Sequence, residues 1–256
     1  MYTKPLLLTQ LTDAFRGMLK LHEDLMGWLD DFGMQLTEDQ FDKLAQYLNL
    51  LKQKNDVLNL TRITDLREMW IKHIFDGLMA APFIARTPGA KVMDLGSGGG
   101  IPGIPLAIVF PSAQFTLVDS VQKKTSALRE FIEELNLKNV QVIASRIEVL
   151  GQQSAHREQC DVVTARALAP LRVLAELAVP LIHPYGHVVA YKGPDYIHEL
   201  SDAKHALSQL KAEKPKVYHY GLPEEQGERT LMVLTKKWPT PLKYPRREGM
   251  PKKNPL

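Results

Sequence analysis

An α/β fold on a mostly parallel sheet is what the sequence predicts, and three observations carry that prediction. The first is residues 91–105, Lys-Val-Met-Asp-Leu-Gly-Ser-Gly-Gly-Gly-Ile-Pro-Gly-Ile-Pro, where a short apolar run meets four glycines in five positions. Strand, glycine turn and helix in that order let bare backbone approach a ligand beneath a helix N-terminus. The second is the alternation of β-rich runs with helical periods after residue 90, which signals strands joined by crossover helices. The third is the end of that pattern. Residues 217–220 and 230–234 are joined by a loop too short for a helical crossover. They must pair antiparallel, or the last must enter the sheet antiparallel.

The elements follow in order. Residues 8–32 read as a helix, with Leu8, Leu11, Phe15, Met18, Leu25, Trp28, Leu29 and Phe32 on one face and Gly33 ending it. Thr37-Glu-Asp-Gln40 is a capping box that opens a second helix with Phe41, Leu44, Leu48 and Leu51 inward. A loop with Asn55, Asn59 and Thr61 leads to a third helix, capped by Thr64, with Leu66, Met69, Trp70, Ile74 and Leu78 as its stripe. His73 and Asp76 are neighbours on it, and their spacing alone favours a core histidine satisfied by the carboxylate. Pro82, Pro88 and Gly89 divide a helical region, 1–88, from the α/β domain, 89–235.

In the domain, strands are expected at 91–95, 115–118, 140–144, 161–165, 187–191, 217–220 and 230–234. Helices are expected at 101–110, after Ser120 with Val121, Leu128, Phe131, Ile132 and Leu135 inward, at 173–179 and at 195–210. Residues 236–256 form a tail with seven basic residues, one acid and five prolines. The tail carries +6 while the whole chain carries +3, so the first 235 residues are net acidic. A mildly acidic body with a basic tail points to a polyanionic partner, most simply nucleic acid.

Two cofactor classes compete for the glycine turn. Gly98 to Gly103 matches G-x-G-x-x-G, and Asp119 lies about 20 residues past the turn, as a ribose ligand does in dinucleotide sites. Asp94 argues the other way. A carboxylate before the turn repels a pyrophosphate but suits the cationic S-adenosylmethionine, and Gly96, Gly98 and Gly100 fit a G-x-G-x-G methyltransferase turn. The antiparallel last strand favours the same choice. No asparagine- or aspartate-Pro-Pro-aromatic motif for amine methylation is present, and the single cysteine, Cys160, precedes a strand instead of lying in a pocket loop. That lone cysteine also excludes a disulfide framework. The leucine run at 6–8 is too short for a signal-peptide core, no stretch reaches membrane-spanning length, and a cytoplasmic protein without metal is expected.

The combination of motifs resembles the bacterial 16S ribosomal RNA methyltransferase G family, also called glucose-inhibited division protein B. The matching segments run from about Gly33 to Leu256: Asn59-Leu-Thr61, His73-Ile-x-Asp76, Asp94 to Pro105, Val118-Asp-Ser120, Ser145-Arg-x-Glu148, Thr164-Ala-Arg-Ala167 and Lys243-Tyr-Pro-Arg-x-x-Gly-x-Pro251. The resemblance implies a class I methyltransferase, Rossmann-like, with a seven-stranded sheet, an N-terminal helical extension and a basic tail. It implies transfer from S-adenosylmethionine to N7 of a single guanosine, position 527 of 16S ribosomal RNA, by a monomer acting on the RNA or the small subunit.

Carried over, the cofactor residues are Gly96, Ile101, Asp119, Ile147, Glu148 and Arg166, and the reading of the turn and the second strand's end adds Asp94, Gly98, Gly100 and Ser120. Glu148 would read the adenine edge, and Arg166 would pair with the methionine carboxylate or an RNA phosphate. No proton carrier is assigned; Arg166, His73 and Asp76 are positioning candidates. The RNA-binding residues expected are Lys123, Lys124, Lys192, Lys236, Lys237, Lys243, Arg246, Arg247, Lys252 and Lys253, with Trp238 or Tyr244 stacking on a base. Gly99, where many relatives carry proline or alanine, should loosen the turn. A ribosome-binding assembly factor that holds the cofactor and uses it little is the alternative class.

Overall fold

The computed structural model describes residue 17 and residues 19–256. The start of the expected first helix lies outside the described residues; residues 19–30 are helical (α1), and Gly33 follows at φ +68°. Helix α2 (Glu38–Leu58) opens on the expected capping box, with Thr37 Oγ1 accepting from the Gln40 N–H and Gln40 Oε1 from the Thr37 N–H. It runs past Asn55 and stops at Asn59, a residue type that tolerates the left-handed conformation found there. Asp65, not Thr64, caps the next helix, because its carboxylate reaches the Glu68 N–H. That helix begins as α3 (Leu66–Met69), widens into a π-helical turn (Trp70–Phe75) and closes as α4 (Asp76–Leu78). Of the expected stripe only Leu66 is exposed, and the wider turn leaves both His73 and Asp76 buried. A short α5 (Ala81–Ile84) takes Pro82 in its first turn.

Seven strands form one sheet: β1 (Lys91–Leu95), β2 (Gln114–Asp119), β3 (Val140–Ala144), β4 (Cys160–Arg166), β5 (Ile182–Lys192), β6 (Lys216–Gly221) and β7 (Glu228–Thr235). Their order is β3-β2-β1-β4-β5-β7-β6, with the first five parallel. β7 is antiparallel to both β5 and β6, so both alternatives left by the short loop are realised. Cys160 opens β4 instead of preceding it, and burial pushes its thiol up to about 12.

The covering helices are α6 (Gly103–Val109), α7 (Gln122–Glu134), α8 (Ile147–Leu150), α9 (Leu171–Ala178), α10 (Tyr196–Asp202), α11 (Lys204–Gln209) and α12 (Met250–Lys253). α6 starts two residues later than expected, because the Gly100 and Ile101 N–H groups turn back to the Ser97 carbonyl. Val121 lies outside α7 as its N-cap and is exposed, so it does not point inward. The expected helix over 195–210 is two helices meeting at buried Ala203.

Successive strand residues face opposite sides. Val92, Val162, Val189 and Val233 pack with the N-terminal helices, α6 and α7 in one core. Met93, Val163, Val188 and Met232 pack with α9, α11 and Tyr244 of the tail in the other. A strand buried on both sides reads as a continuous apolar run, which is why β1 was legible.

Candidate active site

The glycine turn leaves β1 and is strapped to β2: the Gly96 and Ser97 N–H groups both donate to the Val118 carbonyl, at 2.8 and 3.0 Å. Gly96, Gly98 and Gly100 all have positive φ, which only glycine adopts without strain. A Cβ at Gly103 would lie 2.3 Å from Leu117 and 3.0 Å from Asp94 Oδ2, so that glycine is what lets α6 press onto the sheet. Gly99 does not loosen the turn. Leu51 occupies the space of its absent side chain, and the Tyr47 hydroxyl donates to its carbonyl at 2.9 Å. Helix α2 therefore clamps the turn from behind.

Beside the turn is a cavity of about 390 Å³ lined by Gly96, Asp119, Ser120, Lys124, Ser145, Arg146, Ile147, Glu148, the 167–170 loop, Val173, Leu177, Pro251 and Lys252. It opens at the C-terminal strand ends beside the β1/β4 switch point, where ligands bind in such sheets. Asp119 accepts from the Gly98 N–H (3.0 Å) through one oxygen and from the Val121 N–H (2.9 Å) through the other, each retaining a lone pair for a diol. Ile147, Val173, Leu177 and Pro251 supply its apolar lining, the kind of surface against which a planar ring packs. This donor set fits S-adenosylmethionine.

Asp94, Gly98, Gly100 and Ile101 do not line this cavity, and of the turn's glycines only Gly96 does. Asp94 is 1% exposed: its Oδ1 accepts from the Thr164 hydroxyl at 2.8 Å, and its Oδ2 has no hydrogen-bond partner among the described residues. Burial pushes it up to about 6, against the Thr164 hydrogen bond. The electrostatic choice between cofactors drawn from Asp94 therefore does not operate at the cavity; the sheet order carries that choice instead. Ile101 is buried in the N-terminal core.

A second cavity, of about 640 Å³, lies on the other side of the 167–170 loop, lined also by Ile63, Lys72, Asp76, Arg166, Tyr191, Lys192, Gly193, Glu199 and Arg229. The loop is a shared partition. Ala167 sits at φ +54°, Leu168 covers Gly96 so closely that a Cβ there would meet it at 2.7 Å, and Lys192 Nζ holds the Ala169 carbonyl at 2.8 Å. A non-glycine residue in that conformation is strained, and such strain concentrates at functional loops.

Arg166 lines this second cavity and not the first. Its guanidinium donates to the Lys72 carbonyl (2.6 Å), to Asp76 Oδ2 (3.1 Å) and to His73 Nδ1 (3.3 Å). Because a guanidinium only donates, Nδ1 is the bare nitrogen, and Nε2–H donates to Thr61 Oγ1 at 2.9 Å. Asn55 Oδ1 in turn accepts from the Thr61 N–H, and Asp76 Oδ1 accepts from the Tyr220 hydroxyl at 2.6 Å. Three segments distant in sequence thus meet in one network. His73 is not satisfied by Asp76, as its spacing suggested, but by Thr61 and Arg166. Burial first, and Arg166 second, bring His73 down to about 3. Nothing in the sequence pointed to Tyr47, Tyr220, Lys72, Leu168 or Glu199; each acts through a contact far along the chain.

The tail departs most from expectation. Instead of offering all its cations to a partner, it is built into the fold. Lys236 is fully buried against Glu158 (2.5 Å) and Thr240 (2.8 Å). Arg246 gives its backbone N–H and two guanidinium nitrogens to the fully buried Glu176, at 2.6 to 2.9 Å. Arg157 caps the Thr240 and Tyr244 carbonyls. Tyr244 is buried and so presents no stacking face, whereas Trp238 is 67% exposed. Lys192, paired with Glu199 at 2.6 Å, is also largely buried. Lys236, Arg246 and Lys192 therefore hold structure together. Lys237 pairs with Glu213, Lys243 lies over the Tyr244 ring, and Arg247, Lys252, Lys253 and Lys123 are exposed.

Comparison with known proteins follows the same outline. The GidB family, described as rRNA small subunit methyltransferase G, matches residues 40–231. A ribosomal RNA small subunit methyltransferase G from Lysinibacillus sphaericus is 42% identical over 224 residues, 88% of this chain and 94% of that protein. The one from Halalkalibacterium halodurans is 41% identical over 228 residues, 89% of this chain and 96% of its own length. Among solved structures, a predicted O-methyltransferase from Agrobacterium tumefaciens aligns with TM-score 0.53 at 16% identity, covering 64% of this chain and 81% of its own. An SAM-dependent O-methyltransferase from Thermotoga maritima aligns at 0.51 and 12% identity, covering 73% and 71%. These two share the fold. The family match and the two relatives together establish that the chain belongs to the rRNA small subunit methyltransferase G family.

Proposed function

We propose that the protein transfers the methyl group of S-adenosylmethionine to N7 of one guanosine in small-subunit ribosomal RNA. The observation that carries this reading is the pair of cavities on the two sides of the 167–170 loop, one lined for the cofactor and the other lined by Lys72, Arg166 and Arg229 beside the paired Lys192 and Glu199. When bound, the cofactor supplies an electrophilic methyl on its sulfonium. The chain's own task is alignment. Asp119 and the turn hold the donor, and the partition sets its distance from a base splayed into the second cavity.

Guanine N7 has an in-plane lone pair. As the N7–carbon bond forms, the sulfur–carbon bond breaks, and no proton leaves first. A neutral His73, brought down to about 3 and engaged at both nitrogens, suits positioning and not proton transfer. Among the described residues no cluster of metal-ligating side chains occurs, and no helix is long and apolar enough to cross a membrane.

The test is single-turnover transfer from methyl-labelled cofactor to small-subunit RNA and to assembled subunits, followed by mapping of the label. The expected result is one labelled guanosine, a rate nearly flat from mildly acidic to mildly basic pH, and no transfer to a 7-deazaguanosine substrate. Label retained on the deaza substrate overturns the N7 assignment, and absence of any transfer favours an assembly factor.

A further inference from the structure

The end of the tail reaches the cofactor cavity. From Thr235, at the N-terminal pole of the parallel strands, the chain passes Tyr244 in the core beside α9 and arrives at residues 249–252 beside Glu148. Pro251 is buried and Lys252 is exposed, and both line the cavity that holds Gly96 and Asp119. The junction is made by Glu148, whose buried carboxylate accepts the Gly249 N–H at 2.9 Å through Oε1. Arg146, the residue before α8, lies 3.7 Å from Glu148 and 3.3 Å from Glu248. Gly249 has φ +76° there, a conformation that glycine adopts freely.

Such attachments are costly to assemble and place the tail firmly. Glu176, with no exposed surface, is satisfied by Arg246 three residues before Gly249. The tail is therefore anchored immediately before it enters the site. Besides Pro251 the cavity is lined by the apolar Ile147, Val173 and Leu177 and by the polar Asp119, Ser120, Ser145 and Glu148. An apolar slot with polar edges is what a flat heterocycle requires.

We propose that residues 249–252 are part of the cofactor site: Pro251 closes the slot over the purine ring, Lys252 stands at its mouth, and the Gly249 N–H orients Glu148 so that its second oxygen meets the purine edge. The tail is then a wall of the cofactor cavity, and the exposed Arg247 and Lys253 beside it bring RNA-facing charge to the same segment. This rests on the cofactor reading above.

The experiment is calorimetry with S-adenosylhomocysteine and with 5′-methylthioadenosine, which retains the adenosine but lacks the amino acid. Three proteins are compared: the intact chain, a chain ending at Glu248, and the double variant Pro251→Ala with Lys252→Ala. Thermal melts accompany each. Shortening should weaken both ligands by about tenfold or more, and the double variant should weaken both by severalfold with an unchanged melting temperature. If the intact chain binds neither ligand, the cofactor reading itself fails. If the intact chain binds and both variants match it within twofold, the tail is not part of the site. A loss with S-adenosylhomocysteine but not with methylthioadenosine overturns the purine slot. Should the shortened chain fail to fold, the double variant decides.

Discussion

Two arginines look interchangeable in the sequence, and the fold uses them differently. Arg166 ends β4 and Arg246 lies in the tail; their side chains are exposed to 22% and 23%, and each meets a buried carboxylate. Glu176 is satisfied among the described residues by Arg246 alone, away from either cavity. Asp76 is shared between Arg166 and Tyr220, and Arg166 looks into the larger cavity. One arginine is consumed in holding a segment in place. The other is held by its neighbours so that its remaining face is available to a ligand. Charge in a sequence marks a partner only where the fold leaves that charge something to bind.

The largest effect that separates the two is on stability. Arg246→Ala strands a carboxylate with no exposed surface and should cost about 3–5 kcal/mol in denaturant unfolding. Arg246→Lys should recover only part of this, since an ammonium has no fork for two parallel bonds. An Arg246→Ala protein that unfolds at the wild-type midpoint would show that this pair does not anchor the tail.

Next comes the inverse pattern at Arg166. Arg166→Ala leaves Asp76 with the Tyr220 hydroxyl, so the stability loss should be smaller than for Arg246→Ala. Methyl transfer should nevertheless fall on the order of a hundredfold, because the π-helical wall that carries Lys72, His73 and Asp76 loses its tie to the strand end. Normal transfer combined with the greater instability would reverse the comparison.

The smallest effect is in pH dependence. His73 is depressed from 6.5 to about 3, so below about 6.5 the unfolded chain takes up a proton that the folded chain refuses. Its contribution is therefore lost as pH falls, at about 1.4 kcal/mol per unit, or roughly 2 kcal/mol by pH 5. Asp94, raised from 3.8 to about 6, acts with the opposite sign: the folded chain holds its proton more tightly, and stability is gained as pH falls through 6 towards 3.8. The two slopes offset in wild type. The stability difference between wild type and His73→Asn should shrink by roughly 2 kcal/mol between pH 7 and pH 5. A difference that stays constant would mean that His73 takes up its proton as readily in the fold as in the unfolded chain.

Much of the architecture was legible because local rules sufficed for it. Alternating strand and helix periods, the Thr37 capping box and the glycine turn each rest on neighbours a few residues apart, and they set the sheet and the place of the cavity beside the turn. The loop before the last strand was too short for a crossover, so the antiparallel β7 followed from chain length alone. Where a feature depended on which distant segment came to lie beside it, the sequence was silent or misleading. The π-helical turn, the Thr61–His73–Arg166–Asp76–Tyr220 network and the clamp of Tyr47 on Gly99 join residues 12 to 144 positions apart.

Asp94 and the tail show the same limit from the other side. Spacing placed Asp94 next to the ligand turn, yet a strand side chain points to one face or the other, and here that face is the packed contact with α6. Composition made the tail look like a solvated polycation, but charge alone does not tell whether a buried carboxylate waits in the body for it. Glu158 and Glu176 do, and desolvation makes such pairs either well matched or costly. The sequence by itself determined the sheet, the turn and the family; which cations stay free, and which residues wall the cavity beside the turn, was decided by tertiary packing, because burial and partner geometry exist only once distant segments meet.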